Sequence, residues 1–185
     1  MEAYLDNSAT TKLTEKVQKI MIKVLSEDFG NPSSMHMLGV KAERYMKEAA
    51  ANIADTLKVE PKEIIFTSGG TEANNLALIG SALANHRRGK HIITSRIEHP
   101  SVHQPLVYLS ENEFDVDFTA VDSTGKIMKD KLYSAINEDT ILVSLMHVNN
   151  EIGTVQDIEE IAREIKKIKK DIIFHVDTIP AFGKY

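Results

Sequence analysis

Ile141-Leu142-Val143-Ser144-Leu145-Met146 and Ile172-Ile173-Phe174-His175-Val176 are two short runs, apolar nearly throughout. Between them Ile158, Ile161, Ala162, Ile165 and Ile168 recur at helical spacing. Strands without polar alternation are expected where helices cover both faces of a parallel sheet, and the helical stretch supplies the right-handed crossover. Further out, His91-Ile92-Ile93-Thr94, residues 116–121 and Ile64-Ile65-Phe66-Thr67 are additional β-branched or aromatic runs. Helical patterns separate most of them: Leu76, Ile79, Gly80, Leu83; Val102, Leu106, Leu109; Leu132, Ala135, Ile136. Strands alternating with helices at about 25–30 residues per unit predict an α/β fold, a mostly parallel sheet with flanking helices.

The first sixty residues have a different rhythm. Val17, Ile20, Met21, Val24 and Leu25 share one helical face after Thr14, a plausible N-cap, with Glu15 in the first turn. Phe29-Gly30-Asn31-Pro32-Ser33-Ser34 is a turn-rich break, and Leu38, Ala42, Tyr45, Met46, Ala49, Ile53 and Leu57 mark a longer amphipathic helix.

Composition narrows the function. With 42% hydrophobic and 26% charged residues, the 185-residue chain is globular and long enough for a core. A net charge of −5 gives no drive toward nucleic acid or an anionic membrane. The absence of Cys excludes disulfides, thiolate metal sites and a cysteine nucleophile within these residues. No run approaches a membrane span, and Met1-Glu2-Ala3-Tyr4 lacks the basic start of a signal peptide, so a cytoplasmic location is expected. Residues 111–117 and 166–170 read as solvated charged faces.

In an open α/β sheet ligands bind beyond the carboxyl ends of the strands, so the residues just after each run are the candidates for a site. Ser68-Gly69-Gly70-Thr71 opens a helix, either as a cradle of free N–H groups for a phosphate or as an ordinary capped start. Glu98-His99-Pro100 offers an imidazole for stacking or acid–base work, or a structural turn histidine. Asn149 and Asn150 could hold a ligand hydroxyl or form a turn. Asp177 could pair with a protonated ring nitrogen or cap a helix. His99 and His103 are four apart, but no His-Glu-x-x-His or acidic ligand at telling spacing accompanies them, so no metal site is expected. The first turn is not the Gly-x-Gly-x-x-Gly of a Rossmann fold. Taken together, cradle, imidazole, amide and carboxylate suit a phosphorylated aromatic cation, and pyridoxal phosphate fits.

The chain resembles the N-terminal half of cysteine desulfurases of the NifS/IscS type, within the class V aminotransferase group of fold-type-I pyridoxal-phosphate enzymes. The resemblance rests on residues 4–11, 29–34, 66–75 and 89–95, on Glu98-His99, on residues 139–146, and on His147-Val148-Asn149-Asn150-Glu151-Ile152-Gly153 and His175-Val176-Asp177. It implies an N-terminal arm over 1–15 and part of a large coenzyme-binding domain over 16–185. It also implies Gly70 and Thr71 at the phosphate, His99 over the ring as the catalytic group, Asn150 near the ring hydroxyl and Asp177 at the ring nitrogen.

Such enzymes are dimers that take sulfur from L-cysteine as a persulfide, leave alanine and supply iron–sulfur cluster assembly. Their Schiff-base lysine lies in a Ser-Gly-His-Lys stretch beyond the position of Asp177, which these residues do not contain, and their persulfide Cys has no counterpart here. The chain alone is therefore expected to be inactive and to hold the coenzyme non-covalently at best. The usual Gln is replaced by Pro180 and the usual Ala by Thr178, and Lys184 aligns with a position of no catalytic role. Completion by a C-terminal half, homodimerisation and an iron–sulfur scaffold partner are further expectations. The alternatives are a non-catalytic truncated relative acting as a structural partner, or another class V enzyme such as a selenocysteine lyase. The Asn-Pro-Ser-Ser and Val-Asn-Asn-Glu-Ile-Gly stretches favour the desulfurase branch. In that family the strand at 64–67 pairs with later strands, so here it should lack its neighbour, leaving backbone groups unsatisfied.

Overall fold

A computed structural model describes residues 3–184; Met1 and Glu2, the start of the stretch read for a leader, and Tyr185 lie outside the described residues. The chain divides into two compact units, Met1–Phe66 and Thr67–Tyr185.

In the first unit α1 (Glu15–Ser26) begins where the Thr14 hydroxyl accepts the Val17 N–H at 3.4 Å, as the Thr-Glu start predicts. α2 (Met37–Leu57) begins at His36, whose ring accepts the Gly39 N–H, and ends on Lys58 in the left-handed region. Gly39 is demanded by close approach, since a Cβ there would lie 2.1 Å from the Ser34 carbonyl oxygen. Buried Asp28 accepts from the Tyr45 hydroxyl at 2.8 Å and pairs with Lys41 and Lys23, tying the chain after α1 to α2. The apolar face of α1 is real but uncovered, with no buried residue and Leu25 75% exposed.

Residues 64–67 are not a strand. A short 3-10 turn, Pro61–Glu63, leads into extended chain that joins no sheet, with Ile65 and Phe66 exposed. The β-branched run has strand propensity, but propensity cannot supply the ladder partner that a strand needs.

The second unit is the α/β part. Strands β1 (His91–Ser95), β2 (Asp115–Thr119), β3 (Thr140–Met146) and β4 (Ile173–Asp177) form a parallel sheet in the order β2-β1-β3-β4. Helices α3 (Gly70–Asn85), α4 (Pro100–Glu111), α5 (Lys129–Ala135) and α6 (Ile158–Ile168) surround it. Successive strand residues point to opposite faces, and the core divides accordingly. Ile92 and Leu142 pack with Leu78, Val102, Leu106 and Leu109 of α3 and α4. Ile93, Val143 and Leu145 pack with Leu132, Ile161 and Ile165 of α5 and α6. Helices therefore lie on both faces, as the apolar runs require. β3 is buried throughout, whereas β4 is half-buried except for Asp177, because it lies at the edge of this sheet and not inside it. Among the described residues no helix is long and apolar enough to cross a membrane.

Candidate functional site

Register places the site. Met146 at the end of β3 stands beside Asp177 at the end of β4, and the His147 N–H donates to the Asp177 carbonyl at 2.9 Å just beyond the pair. Asp177 ends its strand and is 4% exposed. One carboxylate oxygen accepts the Ile179 N–H at 3.0 Å, and the other accepts from the Asn74 side-chain amide at 3.0 Å. The ion pairs among the described residues do not include it. A carboxylate so deeply buried with only neutral donors lacks the counter-charge that buried charges ordinarily have.

His99 is held by the start of α4. Pro100 suits the first helical position, where its missing N–H costs nothing, and His99 becomes the cap. Its Nδ1 accepts the Ser101 backbone N–H at 3.1 Å and lies 2.7 Å from the Ser101 hydroxyl. That hydroxyl in turn lies 2.9 Å from the Asn74 amide nitrogen. An unbroken polar path thus runs from Asp177 through Asn74 and Ser101 to His99, crossing buried side chains from two helices.

Gly70 is the first residue of α3, one turn before Asn74, and a Cβ there would lie 2.0 Å from Ile179 Cδ1. Thr71 is exposed in the same turn, and its carbonyl accepts from the Asn75 amide. Glu72 accepts both the N–H and the hydroxyl of Ser68 at 2.6 Å, which holds its carboxyl below the usual range and closes the turn into the helix. The structure thus brings Gly70, Thr71, Asp177 and His99 to elements joined by one network.

Asn150 stands outside that network. It shares a cleft of about 240 Å³ with Glu98, His99, Asn149 and Ile152. The neighbouring Asn149 is a loop organiser: its amide donates to the Ile97 carbonyl at 2.8 Å, and its Oδ1 accepts the N–H groups of Glu151 and Ile152 at 2.9 Å. The turn reading holds for that residue. His103 tilts against the ring of Phe118, centroids 5.5 Å apart. Among the described residues no group of three or more His, Asp or Glu is placed to hold a metal ion.

Three residues escaped the sequence reading. Asn74 lies on the buried stripe of α3 with Leu78 and Ala82, and Ser101 on that of α4 with Pro105 and Leu109. A polar residue where the period demands an apolar one was the available signal. Glu98 is the third. Ser95 donates to its Oε1 at 2.5 Å, and its Oε2 is buried without a partner among the described residues. Burial pushes this carboxyl up to about 7, and the nearby Asp177 charge adds to the rise, against the opposing bonds from Ser95 and the Met146 backbone. Nothing in the sequence marks its burial. In β4, His175 shares a hydrogen bond with the Ser144 hydroxyl at 2.9 Å, and burial holds its ring below the ordinary 6.5.

A parallel sheet with an acid, an imidazole and a helix N-terminus near its strand ends is the setting in which the comparisons with known proteins fall. Residues 3–185 match the aminotransferase class-V family, to which the chain belongs. Within it, the chain is 44% identical over 182 residues to the cysteine desulfurase IscS of Dictyoglomus turgidum, covering 98% of this chain and 46% of that protein. It is 46% identical over 180 residues to a putative cysteine desulfurase IscS 1 of Bacillus subtilis, covering 97% and 47%. Among solved structures it is similar to a NifS-like protein, with a TM-score of 0.91 and 41% identity over 96% of this chain and 49% of that one. DndA from Streptomyces lividans gives 0.85 and 41%, over 98% and 51%. The chain spans about half the length of the curated relatives it matches.

Proposed function

We propose that these 185 residues are the coenzyme-holding part of a cysteine desulfurase and bind pyridoxal 5′-phosphate through non-covalent contacts of their own. The observation that carries this reading is Asp177, a buried carboxylate whose hydrogen-bond partners among the described residues are neutral, suited to receive a protonated ring nitrogen. Gly70 and Thr71, at the N-terminal turn of α3, would take the phosphate, where free N–H groups and the positive end of the helix dipole favour an anion. His99 would lie against the ring and Asn150 near its hydroxyl. The coenzyme, when bound, supplies an electron sink for the carbanion chemistry that frees sulfur from L-cysteine and leaves alanine. With no cysteine among the 185 residues, the thiol that carries the sulfur comes from outside them. Delivery to iron–sulfur assembly and dimer formation are extended to this chain from what its resemblance to cysteine desulfurases implies.

Pyridoxine 5′-phosphate, which lacks the aldehyde and cannot react with surface lysines, is the appropriate probe. Calorimetric titration of the chain should show saturable binding that weakens at least about tenfold, about 1.4 kcal/mol, in Asp177→Ala. Thr71→Ala should weaken it as well. Absence of saturable binding at millimolar probe, or binding indifferent to both substitutions, overturns the proposal.

A further inference from the structure

We infer that Asn74 and Ser101 are positioning residues that hold His99 as the neutral tautomer with its proton on Nε2, so that it presents an N–H donor to the ligand. The ligand part of this inference rests on the reading above; the tautomer is a property of the chain itself.

The direction of every bond in the path is determined from its two fixed ends. At one end the Ser101 backbone N–H points at His99 Nδ1 from 3.1 Å, and a backbone donor cannot turn round. A proton on Nδ1 would face that hydrogen, so Nδ1 must accept. At the other end Asp177 offers only acceptors, and the Asn74 group 3.0 Å from it must be the NH₂ and not the carbonyl oxygen. The two hydrogens of that NH₂ are then both used, one to Asp177 and one to the Ser101 oxygen 2.9 Å away. Having accepted from Asn74, the Ser101 hydroxyl is free to donate, and its 2.7 Å contact is with the same Nδ1. Two donors thus converge on Nδ1, and the ring proton is left to Nε2.

The burial of Asn74 and Ser101, 4% and 5% exposed, keeps water from offering either group an alternative partner. A histidine set in this way offers a fixed hydrogen-bond donor at Nε2. Outright loss of that proton would leave an imidazolate, so the ring in this state donates a hydrogen bond and does not transfer the proton. The buried carboxylate proposed to meet the ring nitrogen also sets, through the Asn74 amide, the direction of the Ser101 hydroxyl, which adds a second donor to the Nδ1 already held by the backbone N–H.

The test needs no coenzyme, so it fails or succeeds independently of the proposed function. Long-range proton–nitrogen correlation spectra of the ¹⁵N-labelled chain distinguish the tautomers, with the His99 signals assigned by their loss in His99→Gln. The expected result is a pyridine-type Nδ1 and a pyrrole-type Nε2. Ser101→Ala should move the Nδ1 resonance toward that of a ring with one fewer donor, and Ser101→Thr should restore it. Asn74→Ala should move it in the same direction although Asn74 does not touch the ring. A pyrrole-type Nδ1 in the unsubstituted chain overturns the inference, whether or not any variant folds. An Nδ1 resonance unmoved by Asn74→Ala in a variant of unchanged circular dichroism removes Asn74 from the path.

Discussion

Glu98→Gln is the most informative single change in the site, because its effect has a sign that few surface changes share. The carboxyl is raised from the ordinary 4.5 to about 7, chiefly by burial, with the Asp177 charge beside it. A group whose pKa is higher folded than unfolded stabilises fully below the unfolded value, and that stability is lost as pH rises through the folded one. Between about pH 4.5 and 7 the unfolded chain has released this proton and the folded chain has kept it. Stability should therefore fall by about 1.4 kcal/mol per pH unit, some 3 kcal/mol in all. Gln keeps the shape and the acceptor for Ser95 but cannot ionise. Urea unfolding of both proteins at half-unit steps from pH 4.5 to 8.5 gives the difference directly. Glu98→Gln should gain on the parent chain as pH rises, by up to about 3 kcal/mol above pH 7. Parallel stability profiles for the two proteins over that range would refute the reasoning.

His175 should act in the opposite sense. Burial depresses its ring pKa, so its contribution is present above 6.5 and lost as pH falls through the folded value; His175→Gln should flatten the acid side of the urea midpoint profile. Gly70→Ala brings a Cβ into Ile179 Cδ1, the movable end of a side chain, and should cost about 1 kcal/mol by chemical denaturation. In an Ile179→Ala background the same change should be neutral or stabilising, since Ala is the better helix former. Leu142→Ala, at a fully buried β3 position, should cost about 3 kcal/mol, whereas Leu25→Ala on the exposed face of α1 should stay within about 0.5 kcal/mol in the same assay.

The strands and helices of the second unit were legible because each carries its own period, and the near-continuous apolar run at 141–146 announced a strand covered on both faces. His99 and Asp177 were legible as strand-exit residues, since their places depend on local signals: a Pro at the next position and the end of a strand. Residues 64–67 misled because strand membership is a property of two segments, and only one is written in the run itself. Asn74 lies 103 positions from Asp177 and 27 from Ser101, and no local pattern encodes contacts at such separations. Only their intrusion into apolar stripes betrays them. Glu98 stands next to His99 in the chain but carries no local signal of its role, because its burial comes from the fold and not from its neighbours in sequence.

The strand order β2-β1-β3-β4 carries a temporal consequence. During synthesis from the N-terminus, β1, β2 and β3 can pair as soon as residue 146 has emerged, completing a three-stranded sheet before β4 exists. Asp177, the last residue of the last strand, reaches Asn74 only when that sheet is already in place. A nascent chain halted between those two points would carry His99, Ser101 and Asn74 on a finished scaffold, still waiting for the negative charge that orients them.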